Sequence, residues 1–448
     1  MPTDPRDAAA RLLSRHAGRF PDLEPLPVED QALEPRDAAL AHAIADAAVR
    51  RWLTLGFVLG LYLDRPFAEL EPRMQGVLLA GAAQLLLLDK IPPHAAINEA
   101  VEWAKRHIRP GAGGMTNAIL RKVGALRLRP GEGEDASIGR RERWTDRRDE
   151  VLMPDGTAVV LGAEVLPEDN LERLSVQASL PVETLRAWAE QFGIPQAREL
   201  ALHSLSSPPV ILNVAHATGE LPEGLGAHEA EGARVFLGGH AELRTLLDAR
   251  PDVWVQDPAS TEAVRSVRDL APKLIVDACA GQGTKTRQLA ATFPEARIVA
   301  ADVDEGRLRT LRRAFEGHPR VEVRRTDELI PDLAGQADLV LLDVPCSNSG
   351  VLARRPEARY RLATGQGGRL RNLQRQIVAD AIPLLSEGGR ILYSTCSLER
   401  EENEGIAEWA AEWHRFRRAR ERRTMPAGTP GEPASGYRDG SYSVVLER

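Results

Sequence analysis

The chain has 448 residues, a formal net charge of −7 and three cysteines. Because a single hydrophobic core stops growing at roughly 250–300 residues, this length predicts more than one domain. The cysteines form no C-x-x-C pair, which argues against a disulfide framework and against a structural zinc site. The net negative charge disfavours a general polyanion binder, so any contact with nucleic acid would depend on local arginine clusters.

The sequence predicts neither a membrane span nor an export signal. The longest apolar run, residues 76–88, falls short of the roughly 20 residues that cross a bilayer and is expected to form a buried helix. The N-terminal sequence MPTDPRDAAARLL lacks a basic segment followed by an apolar core and a cleavage site. We therefore expect a cytoplasmic protein with reduced thiols and no membrane partner.

The first domain is predicted over residues 1–130 and is all-α. Between residues 36 and 127 apolar side chains recur at helical spacing. One such stripe consists of Leu70, Met74, Val77, Leu78, Ala82 and Leu85. Paired acids, histidine clusters and phosphate-binding loops are lacking from this sequence, so the domain is expected to bind or to scaffold rather than to catalyse.

Residues 131–250 are predicted to contain a charged linker and a small α+β module. The linker begins at about residue 128, where apolar residues become rare. A Pro-Asp-Gly turn between aliphatic runs predicts a hairpin over residues 149–162. Two helices are expected over residues 180–205, and a strand over residues 208–214.

The last domain, residues 251–448, is predicted to be α/β. Strands and helices alternate there, as in a doubly wound parallel sheet that binds ligands at the carboxyl ends of its strands. The candidate strands are residues 273–278, 297–303, 321–327, 337–346, 389–396 and 441–447.

A glycine-containing loop, AGQGTKT at residues 280–286, follows the first of these strands and opens a helix. It lacks the spacing of a phosphate-binding P-loop. Asp302 ends the next strand about twenty residues later, where an acid would bind the two hydroxyls of a ribose. Dinucleotide and adenosyl ligands both fit this pattern. Asp302 or Asp304 could instead only cap the next helix, and Asp327 could be a cap or could contact an adenine ring.

Two thiols and a carboxylate are expected to meet at neighbouring strand ends. Asp343 and Cys346 end the fourth strand, and Cys396 ends the fifth. A single cysteine at a strand end is more often a small buried hydrophobe, but two beside one ligand crevice favour nucleophilic chemistry. Cys279 is not matched by a second cysteine at a neighbouring strand end, and it is interpreted as either a core or a ligand-lining residue.

These motifs resemble those of the Sun-type RNA (cytosine-C5) methyltransferases, in their bacterial ribosomal RNA branch. The family's adenosyl loop is similar to residues 279–285, and its Asp-x-Pro-Cys motif to residues 343–346. Its Thr-Cys-Ser motif and the Glu-Glu-Asn that follows are similar to residues 395–397 and 401–403. The resemblance covers nearly the whole chain and implies an all-α NusB-like RNA-binding domain, a small α+β module and a Rossmann-like methyltransferase domain with S-adenosylmethionine as cofactor.

The resemblance also implies residue roles. Cys396 would attack carbon 6 of cytosine, Asp343 would hydrogen-bond or protonate N3, and Cys346 would assist product release. A helix N-terminus near residues 398–402 or a nearby Lys or Arg would favour the thiolate. The implied cofactor-binding residues are Cys279, Ala280, Gly281, Gln282, Gly283, Thr284, Lys285, Asp302, Asp327 and Asp343. The candidate contacts to RNA phosphates are Arg354, Arg355 and Arg359. No metal is implied, and a second basic cluster, residues 415–423, is interpreted as a solvated helix face.

The implied substrate is 16S small-subunit ribosomal RNA, bound by a monomer. Three departures from the family pattern keep alternatives open: AGQGTKT lacks the usual proline, Ser-Asn-Ser-Gly at residues 347–350 replaces Ser-Gly-Thr-Gly, and the middle module lacks an arginine-containing strand. The alternatives are a transfer RNA substrate, or a NusB-like RNA-binding protein with an inactive methyltransferase domain. An amino-methylating enzyme is disfavoured because Cys346 stands where its loop needs a stacking aromatic residue.

Overall fold

The structure, a computed structural model, describes residues 4–128, 139–363 and 367–448. The chain divides into two compact units. Unit 1 contains Met1–Ser207, Leu352–Gly365 and Thr429–Glu432, and unit 2 contains the remainder. The division after Ser207 falls within the region predicted as linker and middle module, and residues 129–138 of that linker lie outside the described residues. No helix in the described ranges is long and apolar enough to cross a membrane.

The first part of unit 1 is helical, which confirms the all-α prediction for residues 36–127. Four helices begin with a proline, whose fixed φ suits the first helical position and whose missing N–H is not needed there. Every residue from Met74 to Leu86 is buried, as expected for the apolar run. The helices are α1 (Pro5–Ala17), α2 (Pro35–Arg50), α3 (Trp52–Gly60), α4 (Pro72–Leu86), α5 (Pro93–His107) and α6 (Ala112–Leu126).

The rest of unit 1 contains the predicted hairpin and the two predicted helices. Strands β2 (Glu150–Leu152) and β3 (Ala158–Val160) pair antiparallel, and β1 (Arg140–Arg141) adds to the other edge of β3. The helices that follow are α7 (Asn170–Ala178), α8 (Val182–Phe192) and α9 (Ile194–His203).

Unit 2 begins with a four-stranded antiparallel sheet in the order β5-β6-β4-β7. The strand predicted over residues 208–214 is confirmed as β4. The elements of this part are β4 (Ile211–Asn213), β5 (Leu225–Ala227), β6 (Ala233–Phe236), α10 (His240–Ala249) and β7 (Trp254–Val255).

The main sheet of unit 2 has seven strands in the order β10-β9-β8-β11-β12-β14-β13. The six predicted strands are confirmed, but only the first five pair in parallel, because β14 is antiparallel to both of its neighbours. The strands are β8 (Leu274–Asp277), β9 (Arg297–Asp302), β10 (Val321–Arg325), β11 (Ala337–Asp343), β12 (Leu385–Thr395), β13 (Arg417–Thr424) and β14 (Ser441–Glu447). The helix face expected at residues 415–423 is wrong: most of this cluster forms the edge strand β13, which pairs with β14.

Helices cover both faces of this sheet, so its strands are buried on both sides. Alternate residues of β8 and β11 point into two different cores: Val276 and Val340 into one, Ile275 and Leu339 into the other. The helices of unit 2 after α10 are α11 (Pro258–Arg265), α12 (Thr284–Thr292), α13 (Glu305–Ala314), α14 (Leu329–Leu333), α16 (Gly367–Ala381) and α17 (Glu404–His414); the single turn α15 (Ala358–Arg361) belongs to unit 1.

The strand order changes direction between β8 and β11. From β8 the chain runs outward to β9 and β10, and it then returns to β11 on the other side of β8. The carboxyl ends at such a switch point leave a crevice in which ligands bind. The residues that follow β8, β9, β11 and β12 therefore define the site.

The α15 segment corrects one sequence interpretation. Arg359 is fully buried in unit 1. Its guanidinium donates to the carbonyl oxygens of Arg50 at 2.9 Å, Ala178 at 3.0 Å, Ser204 at 2.8 Å and Leu352 at 3.4 Å. A side chain committed to these acceptors cannot contact an RNA phosphate, so Arg359 is a structural residue and not an RNA ligand.

Candidate active site

The two strand-end cysteines lie against each other. The pairing of Asp343 with Ser394 brings the ends of β11 and β12 level. The Sγ atoms of Cys346 and Cys396, in the loops beyond, are 3.3 Å apart. Both thiols are partly buried and free of disulfide bonds. The juxtaposition expected from the sequence therefore exists.

Lys285 and Asp343 form an ion pair beside these thiols. Nζ of Lys285, in the first turn of α12, is 2.7 Å from Oδ2 of Asp343. Burial lowers the pKa of Lys285, but the neighbouring carboxylate of Asp343 and the charge of a Cys396 thiolate outweigh that effect and leave the pKa raised. Lys285 is thus a permanent cation that acts on both the carboxylate and the thiol.

The pKa of the Cys346 thiol is raised well above its ordinary value. The hydrogen bond to Cys396 is the largest cause, followed by burial and by the negative charges of Cys396 and Glu402. Cys346 is therefore held as a neutral thiol at neutral pH.

The loop after β8 has an open backbone. Gly281 and Gly283 have φ angles of +57° and +90°, in the region that favours glycine. A Cβ on Gly283 would lie 2.7 Å from the Phe315 ring, whereas one on Gly281 would have no neighbour within 4 Å. Gly281 thus leaves space above the crevice, and Gly283 packs the loop against α13.

Asp302 is oriented by backbone amides. Its Oδ2 accepts from Gly281 N at 3.0 Å and its Oδ1 from Asp304 N at 2.9 Å, while the side chain is only 4% exposed. The alternative in which Asp302 caps the next helix is wrong, because the N-cap of α13 is Asp304, which accepts from Arg307 N. Asp302 instead ties β9 to the glycine loop.

Asp277 is a fully buried acid beneath the same loop. Its Oδ2 accepts from Thr286 Oγ1 at 2.7 Å, whereas its Oδ1 is buried without a hydrogen-bond partner. Burial raises the pKa of Asp277 to about 7. Burial and the nearby Asp277 charge also raise the pKa of Cys279, so Cys279 stays a thiol and is no candidate nucleophile.

A polar cluster holds the loop that carries Cys346. Oε2 of the buried Glu402 accepts from Ser347 N at 2.9 Å and from Gln374 Nε2 at 3.0 Å. The same Gln374 nitrogen donates to Pro345 O at 3.0 Å. Gly350 N donates to Cys396 O at 2.9 Å, and a Cβ at Gly350 would lie 2.7 Å from that oxygen. These contacts fix both cysteine loops with respect to each other.

The helix expected near residues 398–402 begins later. Helix α17 starts at Glu404, after a turn in which Asn403 accepts from Thr395 Oγ1 and donates to Ser397 O. The cation named as the other possible stabiliser of the thiolate is present as Lys285.

The remaining predicted residues occupy varied positions. Gln282 and Thr284 are exposed on the glycine loop, and Ala280 is half-buried. Asp327 is exposed and ion-paired with Arg325, so its assignment as an adenine contact stays a prediction. In unit 1, Arg354 is half-buried and Arg355 is exposed.

Sequence reasoning missed several residues of the site. Glu402 was noted only as part of a motif, and Gln374 gave no signal, since an amide on an amphipathic helix is usually solvated. Val303 directly follows Asp302 and leaves an apolar side chain 75% exposed. No group of three or more His, Cys, Asp or Glu side chains in the described residues could hold a metal ion.

Known proteins resemble this chain over nearly its whole length. A family model described as 16S rRNA methyltransferase RsmB/F matches residues 269–427, and the NusB family model matches residues 3–125. Ribosomal RNA small subunit methyltransferase B of Xanthomonas campestris pv. campestris is 30% identical over 417 residues, which cover 89% of this chain and 85% of that protein. The protein named "Probable ribosomal RNA small subunit methyltransferase B" of Bacillus subtilis is 24% identical over 397 residues, which cover 85% of this chain and 81% of that protein.

Solved structures share the fold. The crystal structure of PH0851 aligns over 100% of both chains with a TM-score of 0.68 and 19% identity. A methyltransferase homolog protein from Pyrococcus horikoshii aligns over 63% of this chain and 100% of its own, with a TM-score of 0.50 and 18% identity.

Proposed function

The chain belongs to the RsmB/F family of 16S rRNA methyltransferases, and we propose that it methylates carbon 5 of a cytosine in small-subunit ribosomal RNA through a covalent cysteine adduct. The observation that carries the proposal is the pair of thiols 3.3 Å apart, beside the Asp343–Lys285 ion pair. Carbon 5 of cytosine is too weak a nucleophile to take a methyl group directly. A thiol that first adds to carbon 6 overcomes this, and a second group must then remove the proton from carbon 5.

S-adenosylmethionine is the cofactor, and the crevice at β8 and β9 fits it. Asp302 presents a carboxylate that suits two ribose hydroxyls, and the uncovered face of Gly281 leaves the backbone accessible. Val303 offers an exposed apolar surface for the adenine ring. When bound, the cofactor supplies an electrophilic methyl group on a sulfonium.

Cys396 is the proposed nucleophile. A thiolate adds to an electron-poor ring far better than a thiol does, and a neighbouring cation favours the thiolate. Lys285 is that cation: burial opposes its charge, but the Asp343 carboxylate, and after it the charge of a Cys396 thiolate, leave its pKa raised. The target base must leave its stack to reach the sulfur, at a cost of a few kcal/mol.

Asp343 is proposed to act at N3 of the cytosine. As the thiolate bonds to carbon 6, the ring electrons move toward N3, which takes a proton from the protonated form of the Asp343 carboxyl group. When the C6–S bond later breaks, N3 returns that proton to Asp343. Lys285 Nζ, 2.7 Å from the same carboxyl group, keeps that side chain in place. Proton transfer of this kind typically contributes about 10² to 10⁴ in rate.

Cys346 is proposed to give up its own proton to solvent and then, as a thiolate, to take the carbon 5 proton. The C5–C6 double bond re-forms and the C6–S bond breaks, so that Cys396 leaves as the thiolate. The largest cause of its raised pKa is the hydrogen bond to Cys396. Once Cys396 is bonded to carbon, that hydrogen bond and the Cys396 charge no longer act. Only burial and the Glu402 charge then still raise the pKa of Cys346, so Cys346 gives up its proton more readily after the nucleophile is committed.

RNA contacts outside the site are assigned to Arg355, which is exposed, and to Arg354. Both lie in unit 1, the unit that contains the NusB-like helices.

The test is a denaturing gel of protein mixed with labelled, unmethylated small-subunit RNA and S-adenosylmethionine. The Cys346→Ser variant should accumulate a slow-migrating protein–RNA band, because the adduct forms and is not released. The Cys396→Ser variant should form none, and Cys279→Ser is the matched control that should behave as the wild type. If no variant forms an adduct and the wild type transfers no methyl to ribosomal RNA or to transfer RNA, the proposal is wrong.

A further inference from the structure

The side chain of Asn348 bridges the two catalytic cysteines. Its Nδ2 donates to the carbonyl oxygen of Cys346 at 3.0 Å, and its Oδ1 accepts from Sγ of Cys396 at 3.4 Å. Because a carbonyl oxygen can only accept, the contact to Cys346 determines which end of the amide carries the nitrogen. The amide oxygen therefore faces the thiol that is proposed as the nucleophile.

The backbone around Asn348 keeps this orientation. Asn348 has φ of +63°, a left-handed conformation that asparagine tolerates better than most residues do. Its carbonyl oxygen accepts from Val351 N at 3.0 Å, and the preceding amide, Ser347 N, is bound by Glu402. Backbone hydrogen bonds thus hold Ser347 and Asn348 in place, so the Asn348 carboxamide is not a freely rotating surface group.

An acceptor at this place opposes ionisation of Cys396. A hydrogen bond from S–H to a neutral oxygen stabilises the thiol, whereas the same oxygen repels a thiolate. A rotated amide would offer its nitrogen to the sulfur, but it would then set two oxygens against each other at Cys346. The charged and titratable groups around the pair are Lys285 from α12, Asp343 and Cys346 from the end of β11, and Glu402 before α17. Among these groups the Lys285 ammonium and the S–H of Cys346 favour the thiolate, and the carboxylates of Asp343 and Glu402 oppose it.

We propose that Asn348 is a positioning residue that orients the Cys396 thiol by accepting its hydrogen bond, so that removing this acceptor makes Cys396 reactive at lower pH. The inference rests on the proposed role of Cys396. It gives a function to one of the two residues, Asn348 and Ser349, at which this chain departs from the Ser-Gly-Thr-Gly pattern, since glycine at 348 would permit the same φ without supplying an acceptor. A protonated thiol also withstands stray electrophiles better while no base is bound.

The experiment is the pH dependence of Cys396 alkylation by iodoacetamide in the full chain, followed for each cysteine by peptide mass spectrometry. Asn348→Gly keeps the backbone conformation and removes the acceptor, so the midpoint for Cys396 should fall by about 0.5 to 1 pH unit. Asn348→Asp places a negative charge at the thiol, so the midpoint should rise. Asn372→Gly on α16 is the matched control, and Cys279 is the internal one; neither should shift the profile.

The outcomes separate a positioning role from a merely structural one. A structural role would change the Cys396 rate equally at every pH, with an unchanged midpoint, and that result would overturn the proposal. So would a midpoint that rises in Asn348→Gly, or one that moves in the same direction in both variants. If Asn348→Gly does not fold, Asn348→Asp decides alone, and an unchanged or lower midpoint refutes the idea. The assay uses no RNA, so failure of the proposed function would appear only in the adduct gel.

Discussion

Replacing Arg359 by methionine tests whether the buried guanidinium stabilises unit 1. Methionine keeps most of the apolar contact but leaves the carbonyl groups of Arg50, Ala178 and Ser204 without their donor. An unsatisfied buried acceptor costs about 1–3 kcal/mol, and the relief of burying a charge offsets part of the sum. Burial lowers the Arg359 pKa to about 10, so the side chain is still charged at neutral pH and its donors are fully present. The expected loss is about 3–5 kcal/mol, at the severe end of single substitutions.

For a unit of this size, each kcal/mol shifts Tm by about 2–4 °C, so unit 1 should unfold about 6–20 °C earlier, as measured by calorimetry and circular dichroism. Arg355→Met is the matched control in the same segment: its side chain is exposed, and its effect on stability should stay within about 0.5 kcal/mol. RNA affinity should fall in Arg355→Met instead. If Arg359→Met leaves Tm unchanged and weakens RNA binding, the assignment of Arg359 as a buried structural residue is wrong, and Arg359 is instead a contact to RNA phosphate.

Three further predictions concern unit 2. Gly350→Ala places a Cβ 2.7 Å from Cys396 O and 2.9 Å from Gly440 O, so the rate of methyl transfer should fall at least tenfold. Gly367→Ala is the control, because a Cβ there has no neighbour within 4 Å and should not change the rate. Equal rates in the two variants would contradict the argument. Asp277 has a folded-state pKa of about 7 against 3.8 when unfolded, so its contribution makes the protein less stable as pH rises from about 4 to about 7. Asp277→Asn should remove that loss, and a Tm difference between variant and wild type that does not grow over this interval would refute it. Oxidation by the diazene reagent diamide should form a disulfide between Cys346 and Cys396, each thiol losing one hydrogen to the reagent. Non-reducing peptide maps identify the disulfide. A disulfide that contains Cys279 would contradict the prediction.

Local patterns predicted the parts of the fold that depend on local chemistry. Strands β8 and β11 each contain an aliphatic run, residues 274–276 and 339–342, that ends in an acid, so their position and their functional ends could be inferred from sequence. Strand β13 could not: its sequence RRARERRT has almost no apolar residues, and only its pairing with β14 makes it a strand. Edge strands rich in charge carry little sequence signal.

The same limit applies to single residues of the site. The pairing of Cys346 with Cys396 followed from the geometry of adjacent strand ends. The opposite environments of Arg355 and Arg359 did not, because they occur in one arginine-rich segment and differ only through contacts to residues far away in the sequence. Asn348 was recognised as a departure from a pattern, but its contact with Cys396 depends on a backbone conformation that sequence does not reveal.

The interleaving of the two units affects the order in which a growing chain can complete them. Unit 1 includes residues 352–363 and 429–432, which the ribosome adds only after residues 208–351 of unit 2. At about 5–20 residues per second, that interval is on the order of ten seconds. During it, the backbone carbonyls of Arg50, Ala178 and Ser204 must remain hydrated, because the guanidinium that will bind them has not yet been synthesised. The helices at the N-terminal end therefore reach their final packing only once half of the methyltransferase sheet, β8 to β11, has already emerged.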